Sequence, residues 1–384
     1  MKNYDYIIVG AGAAGLMMAY RMAKDAFFDN KSILIIDKEK KNSNDRTWCY
    51  WEKGKGEWDD LLHTSWDSII FESETYHLKK KITPYTYKLI RSSNFYQKIW
   101  AILDGKNNID FIKCTVKTIL QEKEFATVTT TQNSKYTTKK LLNSILFDNS
   151  YLKQTKYPVL KQHFVGWFVE LQEDTFDDST ATFMDFNIPQ KGNTRFMYVL
   201  PISKKIALFE YTLFSKDLLH YDIYEKAIKN YLEEKNITKY TILEKEDGII
   251  PMTSYKFWKK NSENIIHMGT SGGWSKASTG FTFMNTIKKT KQLTSYLKKD
   301  KSLSNFHSKS KYWFYDLLLL DILAEKNELG TSLFSRLFQR NSTTKIFEFL
   351  DGETTFIDDL QIMSKMPSYL FGKALFKRIL NKSS

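Results

Sequence analysis

The first twenty residues constrain the fold of this chain more than any other stretch. A short apolar run, Tyr6-Ile-Ile-Val9, ends at Gly10-Ala-Gly12-Ala-Ala-Gly15, and an uncharged helical pattern follows. This order is typical of a β-strand that feeds through a tight turn into a helix whose N-terminus binds a pyrophosphate. Gly10 permits the turn, Gly12 leaves room for the phosphates, and Gly15 lets the helix pack closely on the strand. The sequence therefore predicts a Rossmann-type dinucleotide-binding unit.

A second apolar run with an acid at its end supports this prediction. Lys31-Ser-Ile-Leu-Ile-Ile-Asp37 is typical of the next strand, and Asp37 lies 27 positions after Gly10. The usual spacing is about 20, and the insert at residues 25–30 accounts for the excess. The pattern alone does not choose between FAD and NAD. The predicted cofactor-binding residues of this unit are Gly10, Gly12, Ala13, Gly15, Asp37 and Lys38.

The same uncharged stretch could instead be a signal peptide or a membrane anchor. Residues 6–20 include three glycines and are shorter than the ~20 residues that span a bilayer. Only Lys2 precedes them as a basic residue, and no small-residue cleavage site follows. These features favour the dinucleotide-binding unit.

The composition limits the possible partners. The 384 residues carry a formal net charge of +13, which indicates an anionic partner such as nucleic acid, a lipid surface or the phosphates of a cofactor. Aromatic residues make up 15% of the chain, which suits a pocket for a large apolar ligand or a densely packed core. Cys49 and Cys114 are the only cysteines, so neither a disulfide framework nor a zinc site is indicated, and no metal is expected. This cysteine usage predicts a reducing, cytoplasmic location.

The hydrophobic patterns divide the chain into four regions. Residues 1–156 form the predicted cofactor-binding domain, with residues 50–103 partly in the substrate region. Residues 157–250 hold apolar, aromatic strands of a substrate-binding β-sheet, residues 251–290 return to the first domain, and residues 291–384 are helical. We therefore predict an α/β fold: a Rossmann-type domain, a second mixed β-sheet domain and a helical C-terminal part.

Two further stretches could contact a bound cofactor. Charges and large aromatics alternate in Asn44-Asp-Arg-Thr-Trp-Cys-Tyr-Trp-Glu52, a pattern that also suits base stacking on single-stranded nucleic acid. Because it directly follows the predicted cofactor strand, we assign Arg46 to the phosphates or the ring system of the cofactor. Later, residues 264–268 run as a strand into a glycine-rich loop whose backbone N–H groups could hold an anion. The predicted cofactor-binding residues there are Gly269, Gly272, Gly273, Thr279 and Gly280.

The C-terminal end is basic and amphipathic. The last 24 residues contain five basic and no acidic residues, and Phe371, Leu375 and Ile379 recur at helical spacing. Such a helix can lie on an anionic membrane, or it can pack on the body with a charged outer face. No stretch of the sequence is long and apolar enough for a transmembrane helix, so any membrane contact would be peripheral.

Glu210 is the predicted catalytic residue. It is the single carboxyl of the run Ile206–Phe214, and on a strand it shares one face with Leu208 and Thr212. If that face is internal, desolvation raises the pKa of the carboxyl. An acid held neutral at pH 7 can protonate a poor base such as an alkene. Alternatively, Glu210 lies at a strand end in water or pairs with Arg195.

Seven stretches resemble the FAD-dependent lycopene cyclases of the bacterial type, along essentially the whole chain. The glycine triplet is shared by a very large superfamily, whereas the tryptophan-rich and Gly-Gly-Trp segments are much more specific. These stretches are the glycine loop and residues 44–52, 84–92, 162–170, 183–186, 209–212 and 269–280.

The resemblance implies bound FAD, a fold like that of the flavoprotein hydroxylases, and cyclisation of the ψ-ends of lycopene to β-rings, through γ-carotene to β-carotene. It also implies that FAD works in its reduced form without net redox change, as in an isomerase or intramolecular lyase, with NAD(P)H as the expected reductant. Glu210 matches the acidic motif of the family. Trp167, Phe209 and Trp274 are the candidates for aromatic faces that stabilise the carbocation. A substrate that resides in lipid implies peripheral attachment to the inner face of the membrane and no nucleic-acid partner.

The sequence departs from the common FAD pattern at one position. Many FAD enzymes have Gly-Asp at the second loop, whereas here Thr270 follows Gly269, so loop N–H groups have to do more of the binding. The alternative function is that of an FAD-dependent oxidoreductase, an isoprenoid reductase or hydroxylase, on an apolar substrate. A nucleic-acid-binding protein is a third class, against which the glycine loop argues. Glu170 and Asp185 are the rival acids to Glu210.

Overall fold

The computed structural model describes residues 2–307 and 310–380. The strands are β1 (Lys2–Val9), β2 (Ile33–Asp37), β3 (Thr47–Lys53), β4 (Leu62–Trp66), β5 (Ser68–Ser73), β6 (Tyr76–Lys81), β7 (Tyr85–Arg91), β8 (Ile109–Lys113), β9 (Val116–Gln121), β10 (Ala126–Thr130), β11 (Lys135–Asn143), β12 (Leu160–Glu170), β13 (Thr180–Asp185), β14 (Thr194–Pro201), β15 (Ile206–Ser215), β16 (Thr241–Met252) and β17 (Ile265–His267). The helices are α1 (Ala13–Ala23), α2 (Ser92–Leu103), α3 (Ser150–Lys153), α4 (Tyr221–Glu234), α5 (Phe283–Leu297), α6 (Lys311–Glu325), α7 (Gly330–Arg340), α8 (Thr343–Leu350), α9 (Phe356–Ser364) and α10 (Ser368–Leu380).

The first sheet is built around β1 and has the order β8-β2-β1-β11-β10-β9, with β17 paired to β11. β1 runs parallel to β2 and β11, and β17 runs parallel to β11, whereas β10 pairs antiparallel with both of its neighbours. All five residues of β2 are buried, as expected for a central parallel strand covered on both faces. Helix α1 connects β1 to β2 and packs against α5.

The second sheet has the order β16-β12-β15-β14-β13-β5-β6, and a small third sheet has the order β3-β7-β4. β12, β14, β15 and β16 pair antiparallel, so residues opposite one another in register point to the same face. The chain contributes β5 and β6 to this sheet before it returns to the first sheet with β8–β11. The second sheet is therefore assembled from two separate parts of the chain.

The two faces of the second sheet are covered by different helices. On one face, aromatic residues such as Phe183 and Phe186 join a core with Phe334, Phe338 and Phe347 of the C-terminal helices. On the other face, Val165 and Phe209 pack with Ile228 and Tyr231 of α4. Both faces are thus buried, which explains why the strands between residues 160 and 215 are apolar almost throughout.

The predicted α/β fold is confirmed, with a Rossmann-type sheet, a second mixed sheet and helices at the C-terminal end. Strand β11 ends at Asn143, and the backbone N–H of the next residue, Ser144, donates a hydrogen bond to the carbonyl oxygen of Val9 at 2.8 Å. Within the described ranges, none of the helices has the length and hydropathy to cross a lipid bilayer.

Candidate functional site

A cavity of about 450 Å³ extends from the N-terminus of α1 to one face of the second sheet. Its lining is mixed: glycines and hydroxyl groups near α1, and large aromatic or aliphatic side chains with two carboxyls on the sheet. The lining includes Gly12, Ala13, Ala14, Arg46, Thr47, Trp48, Cys49, Tyr87, Gln162, Phe164, Tyr198, Leu200, Leu208, Glu210, Glu246, Gly269, Thr279, Gly280, Phe281 and Phe283.

The three N-terminal glycines differ in the space around them: Gly10 and Gly15 are tightly packed, and Gly12 is open. Gly10 has φ +97°, and a Cβ atom there would lie 2.3 Å from the Ser144 hydroxyl oxygen. A Cβ atom on Gly15 would lie 1.9 Å from the Gly10 carbonyl oxygen, because α1 crosses β1 closely. Gly12 differs, since a Cβ atom there would meet nothing within 4 Å and would point into the open space of the cavity. The loop therefore leaves a free approach to its backbone at Gly12.

Asp37 holds the glycine loop in place through a hydrogen bond to its backbone. It ends β2 and is 7% exposed, and its carboxylate accepts hydrogen bonds from the backbone N–H groups of Ala11 at 2.6 Å and Glu39 at 3.1 Å. Lys38 is exposed beside it and does not line the cavity. The carboxylate thus stabilises the conformation of the loop at the N-terminus of α1.

The second glycine-rich loop meets the first one at the cavity. Gly269 has φ +57°, and a Cβ atom there would touch the Cβ of Ala14 at 3.0 Å, so the two loops approach closely. Gly280 has φ +73° and lies against the side-chain oxygen of Gln162. Gly272 and Gly273 do not line the cavity; a Cβ atom on Gly272 would overlap the carbonyl oxygen of His267, so this glycine shapes the loop.

Two buried polar atoms at this end of the cavity find no hydrogen-bond partner among residues 2–307 and 310–380. The side-chain oxygens of Gln162 and Thr279 make no hydrogen bond within the described part of the chain, although both residues are less than 10% exposed. Buried polar atoms are normally hydrogen-bonded. The arrangement fits a polar ligand that contacts Gln162 and Thr279.

Arg46 lines the same cavity and is exposed, and its guanidinium donates to the carbonyl oxygen of Asp45 at 2.5 Å.

Glu210 lies on the cavity face of the second sheet, with Tyr198 beside it in register on β14 and Gly166 beside it on β12. Its carboxylate accepts one hydrogen bond, from the Thr212 hydroxyl at 2.8 Å. It does not pair with Arg195, whose guanidinium donates to the Tyr211 hydroxyl instead. Desolvation, and next the negative charge of Glu246, raise the pKa of Glu210 to about 8. This direction of shift favours the protonated form of the carboxyl at neutral pH.

Glu246 is a second carboxyl on the same wall, which the sequence pattern did not single out. It follows Gly166 in register on β16, and it accepts a hydrogen bond from the Thr47 hydroxyl at 2.6 Å. Desolvation raises its pKa, whereas the Thr47 hydroxyl and the Arg91 guanidinium act in the opposite direction. Its only sequence signal is the alternation of β16, in which Glu246 shares a face with Gly248 and Ile250.

Two of the three aromatic residues predicted to stabilise the carbocation lie on the face of the second sheet opposite to Glu210. Phe209 and Trp167 are opposite each other in register and pack in the core under α4, away from the cavity. Successive strand residues point to opposite faces, so Phe209 cannot share the face of Glu210. Trp274 is buried in the core of the first domain and does not line the cavity either. This corrects the expectation that these residues form the substrate pocket.

Other aromatic side chains take their place around Glu210. Those that line the cavity are Trp48, Tyr87, Tyr96, Phe164, Tyr198, Phe281 and Phe283. Burial raises the pKa of the Tyr87 and Tyr198 hydroxyls well above the ordinary value, and it does the same for the Cys49 thiol. These groups therefore remain neutral, and a neutral thiol is a poor nucleophile.

The rival acids lie outside the cavity. Glu170 is exposed at the end of β12. Asp185 is fully buried, but its carboxylate accepts hydrogen bonds from the Tyr231 hydroxyl at 2.7 Å and from the backbone of Asn187 at 2.8 Å. Neither carboxyl lines the space that Glu210 faces.

Comparison with known proteins gives one family and one fold. A family model described as lycopene cyclase protein matches residues 5–375. Neoxanthin synthase, chloroplastic, from Solanum tuberosum is 21% identical over 307 residues, which are 73% of this chain and 57% of that protein. The chain thus spans somewhat more than half the length of this relative.

Solved structures share the overall architecture at low sequence identity. A geranylgeranyl bacteriochlorophyll reductase-like protein from Thermoplasma acidophilum matches with a TM-score of 0.65 and 12% identity, covering 97% of this chain and 98% of that chain. A flavin-dependent brominase matches with a TM-score of 0.60 and 12% identity over 94% and 98% of the two chains. A flavoprotein/dehydrogenase from Cytophaga hutchinsonii matches with a TM-score of 0.60 and 10% identity over 98% and 100%. The fold is therefore the one found in flavoprotein hydroxylases and halogenases.

Proposed function

The chain belongs to the lycopene cyclase family, and from this premise we propose that it closes the ψ-ends of lycopene into β-rings, giving γ-carotene and then β-carotene without net oxidation or reduction. The observation that carries the proposal is the burial of the Glu210 carboxyl in an aromatic-lined cavity that extends to the glycine-rich loop at the start of α1. An acid-initiated cyclisation needs these parts together: a proton donor, apolar walls and space for a conjugated chain.

In the proposed reaction Glu210 donates its proton to the terminal double bond. The electron pair of that bond forms the new C–H bond and leaves a tertiary carbocation. The next double bond attacks the cation, which forms the C–C bond of a six-membered ring and moves the charge into the ring. Loss of a ring proton to a base then restores a double bond. One proton enters and one leaves, so the mass of the substrate does not change.

The walls of the cavity suit a cationic intermediate. Aromatic faces contribute roughly 0.5–2 kcal/mol each toward a nearby cation, and Tyr87, Phe164, Tyr198 and Phe281 line the space around Glu210. Water would trap the cation as an alcohol, so the apolar lining also protects the ring product. The neutral Cys49 thiol does not compete as a nucleophile.

We propose FAD as the bound cofactor, and the residues present fit it. The open approach at Gly12, the unpartnered side-chain oxygens of Gln162 and Thr279, and Arg46 all lie along one cavity. The N-terminus of α1, with Ala13 in its first turn, would face the pyrophosphate. Gly269 and Gly280 would bring backbone groups of the second loop to the same ligand, and Asp37 would hold the first loop in shape. When bound in its reduced form, FAD supplies negative charge that stabilises a cation; NAD(P)H is the proposed reductant.

We also propose that the protein attaches peripherally to the cytoplasmic, inner face of a membrane, where a lipid-resident substrate is found. The C-terminal helices expose large apolar side chains: Phe356 is 62%, Ile357 68%, Tyr369 77% and Phe376 61% exposed. The basic residues of α10 are less available than the sequence indicates. Lys373 and Lys377 both pair with Glu325, and the Arg378 guanidinium pairs with Asp321. Apolar burial rather than charge would therefore contribute most of the binding.

We expect Glu210→Gln to fold and to form no rings. The amide keeps the size of the side chain but has no acidic proton, and general-acid catalysis contributes about 10²–10⁴-fold. In the unchanged protein the protonated form is the active one, so cyclisation should fall as pH rises through the pKa of Glu210, near 8. Pigment analysis of each variant across pH measures both effects. Glu170→Gln, on a neighbouring strand but exposed, is the matched control; a Glu210→Gln variant as active as this control would refute the assignment.

Gly12→Val is expected to abolish flavin binding without unfolding the protein. The branched side chain would enter the open space at Gly12, where the structure provides no other atom within 4 Å. Absorbance of the purified protein measures the flavin content, and circular dichroism checks the fold. Gly372→Val serves as the control, since Gly372 in α10 is also free of neighbours, has no positive φ and lies outside the cavity. Full flavin occupancy in Gly12→Val would contradict the proposed site.

The double variant Tyr369→Ser and Phe376→Ser tests the membrane surface. Each fully buried large apolar side chain contributes about 1.5–3 kcal/mol, so we expect vesicle binding to weaken at least tenfold, with little dependence on salt. Cosedimentation with anionic vesicles gives the partition coefficient. Leu120→Ser, which removes an exposed side chain from the distant strand β9, should leave it unchanged. Equal binding by the double variant and this control would assign α10 to packing alone.

A further inference from the structure

Four residues on neighbouring strands form one row across the cavity face of the second sheet. In register they are Tyr198 on β14, Glu210 on β15, Gly166 on β12 and Glu246 on β16. Neighbouring strands lie about 4.8 Å apart, so the backbones of the two glutamates are separated by roughly 10 Å, with only Gly166 between them. Both carboxyls therefore stand on the same wall and can lean toward each other.

Gly166 leaves the space between the carboxyls open. A Cβ atom there would lie 3.3 Å from Cγ of Glu246, 3.5 Å from Cβ of Glu210 and 2.9 Å from a methyl carbon of Leu208. Any side chain at this position would thus enter the gap between the two glutamates. The absence of a side chain is what makes the two carboxyls neighbours.

The two carboxyls have different polar partners, and the partners of Glu246 favour the charged form more than those of Glu210 do. Glu210 has one hydrogen bond, from Thr212, and no cationic partner among the described residues. Glu246 accepts a short hydrogen bond from Thr47 and lies in the field of Arg91 and Arg46, which favour its charged form. A pair of carboxyls whose environments separate them in this way commonly divides the roles of acid and base. These surroundings favour a proton on Glu210 over a proton on Glu246.

We propose that Glu246 is the base of the cyclisation, and this proposal rests on the proposed function. Its carboxylate accepts the proton that the ring carbon loses, and the C–H electron pair becomes the ring double bond. At that moment Glu210 is a carboxylate because it has donated its proton. Transfer of the proton from Glu246 to Glu210 across the gap over Gly166 restores both groups for the second end of the substrate. No oxidant, reductant or external base is consumed.

The positions of the two reacting ring carbons are consistent with a proton donor and a proton acceptor on the same cavity wall. The carbon that gains the proton and the carbon that loses it belong to the same six-membered ring, so the donor and the acceptor have to lie within a few ångströms of that ring. The polar groups that act on Glu246 are Thr47, Arg91, Arg46, Glu244, Cys49 and Glu210, and the phenols of Tyr87 and Tyr198 line the same cavity. Of these, Glu244 is held in an ion pair with Arg91, and the thiol and phenols stay neutral.

The test measures the rate, the ring type and the pH profile of Glu246→Gln with lycopene in liposomes and reduced FAD. In the unchanged protein the rate should fall at low pH as Glu246 takes up a proton, and at high pH as Glu210 loses one. The variant should lose about 10²–10⁴-fold in β-ring formation and lack the fall at low pH. Its residual product should contain rings whose double bond lies elsewhere, because the proton leaves from another carbon.

Asp247→Asn is the matched control, since it removes a carboxylate from the next position of the same strand on the exposed face. Glu246→Asp retains a carboxylate and should keep the fall at low pH, at a shifted position and a reduced rate. Flavin content and the midpoint of thermal unfolding show whether each variant folds. If Glu246→Gln does not fold, the pH profile of the cyclisation rate in Glu246→Asp decides. A profile that is not shifted in Glu246→Asp overturns the proposal. Unchanged rate, ring type and pH profile in Glu246→Gln would also overturn it. If the unchanged protein makes no ring, the proposed function itself fails.

Discussion

The Glu210 carboxyl is buried with no cationic partner in the part of the chain that the structure describes, and the rest of the site depends on this constraint. A carboxylate in an apolar cavity loses its hydration, so the proton stays on the group unless a positive charge compensates. The neighbouring arginines are engaged elsewhere: Arg195 donates a hydrogen bond to the Tyr211 hydroxyl, and Arg91 forms an ion pair with Glu244. The aromatic walls that desolvate the acid are also the walls that would stabilise a carbocation. One feature of the packing therefore supplies both the proton donor and the surroundings that its product needs.

The placement of glycines gives this cavity its shape. At Gly12 a missing side chain opens the backbone of the first loop, and at Gly166 a missing side chain opens the gap between Glu210 and Glu246. At Gly15 and Gly269 the same absence lets elements pack closely, which brings the two glycine-rich loops to one end of the cavity. The glycine-rich end and the acidic end are thus parts of a single space between two sheets.

Much of the fold could be predicted from local pattern, and much of the acidic site could not. The strand–glycine–helix–acid series defines β1, α1 and β2 because every step has a short-range cause. The period of two predicts Glu210 on a face with Leu208 and Thr212. The same period excludes Phe209 from that face, contrary to the expectation that Phe209 faces the substrate. Glu246 lies in a charged stretch typical of an exposed edge strand. Its role follows from register with Gly166, a long-range pairing that no local pattern contains.

The mass and ring content of the product test the central claim most directly. Purified protein, lycopene in liposomes, FAD and NADPH are incubated without oxygen in heavy water, and the pigment is analysed by mass spectrometry and chromatography. Acid-initiated cyclisation predicts β-rings that each carry one deuterium from solvent or from the exchanged carboxyl, and no other change in composition. A reductase would add hydrogens across a double bond, and a hydroxylase would add oxygen once air is admitted. Either of these products, or lycopene recovered without rings, would contradict the account.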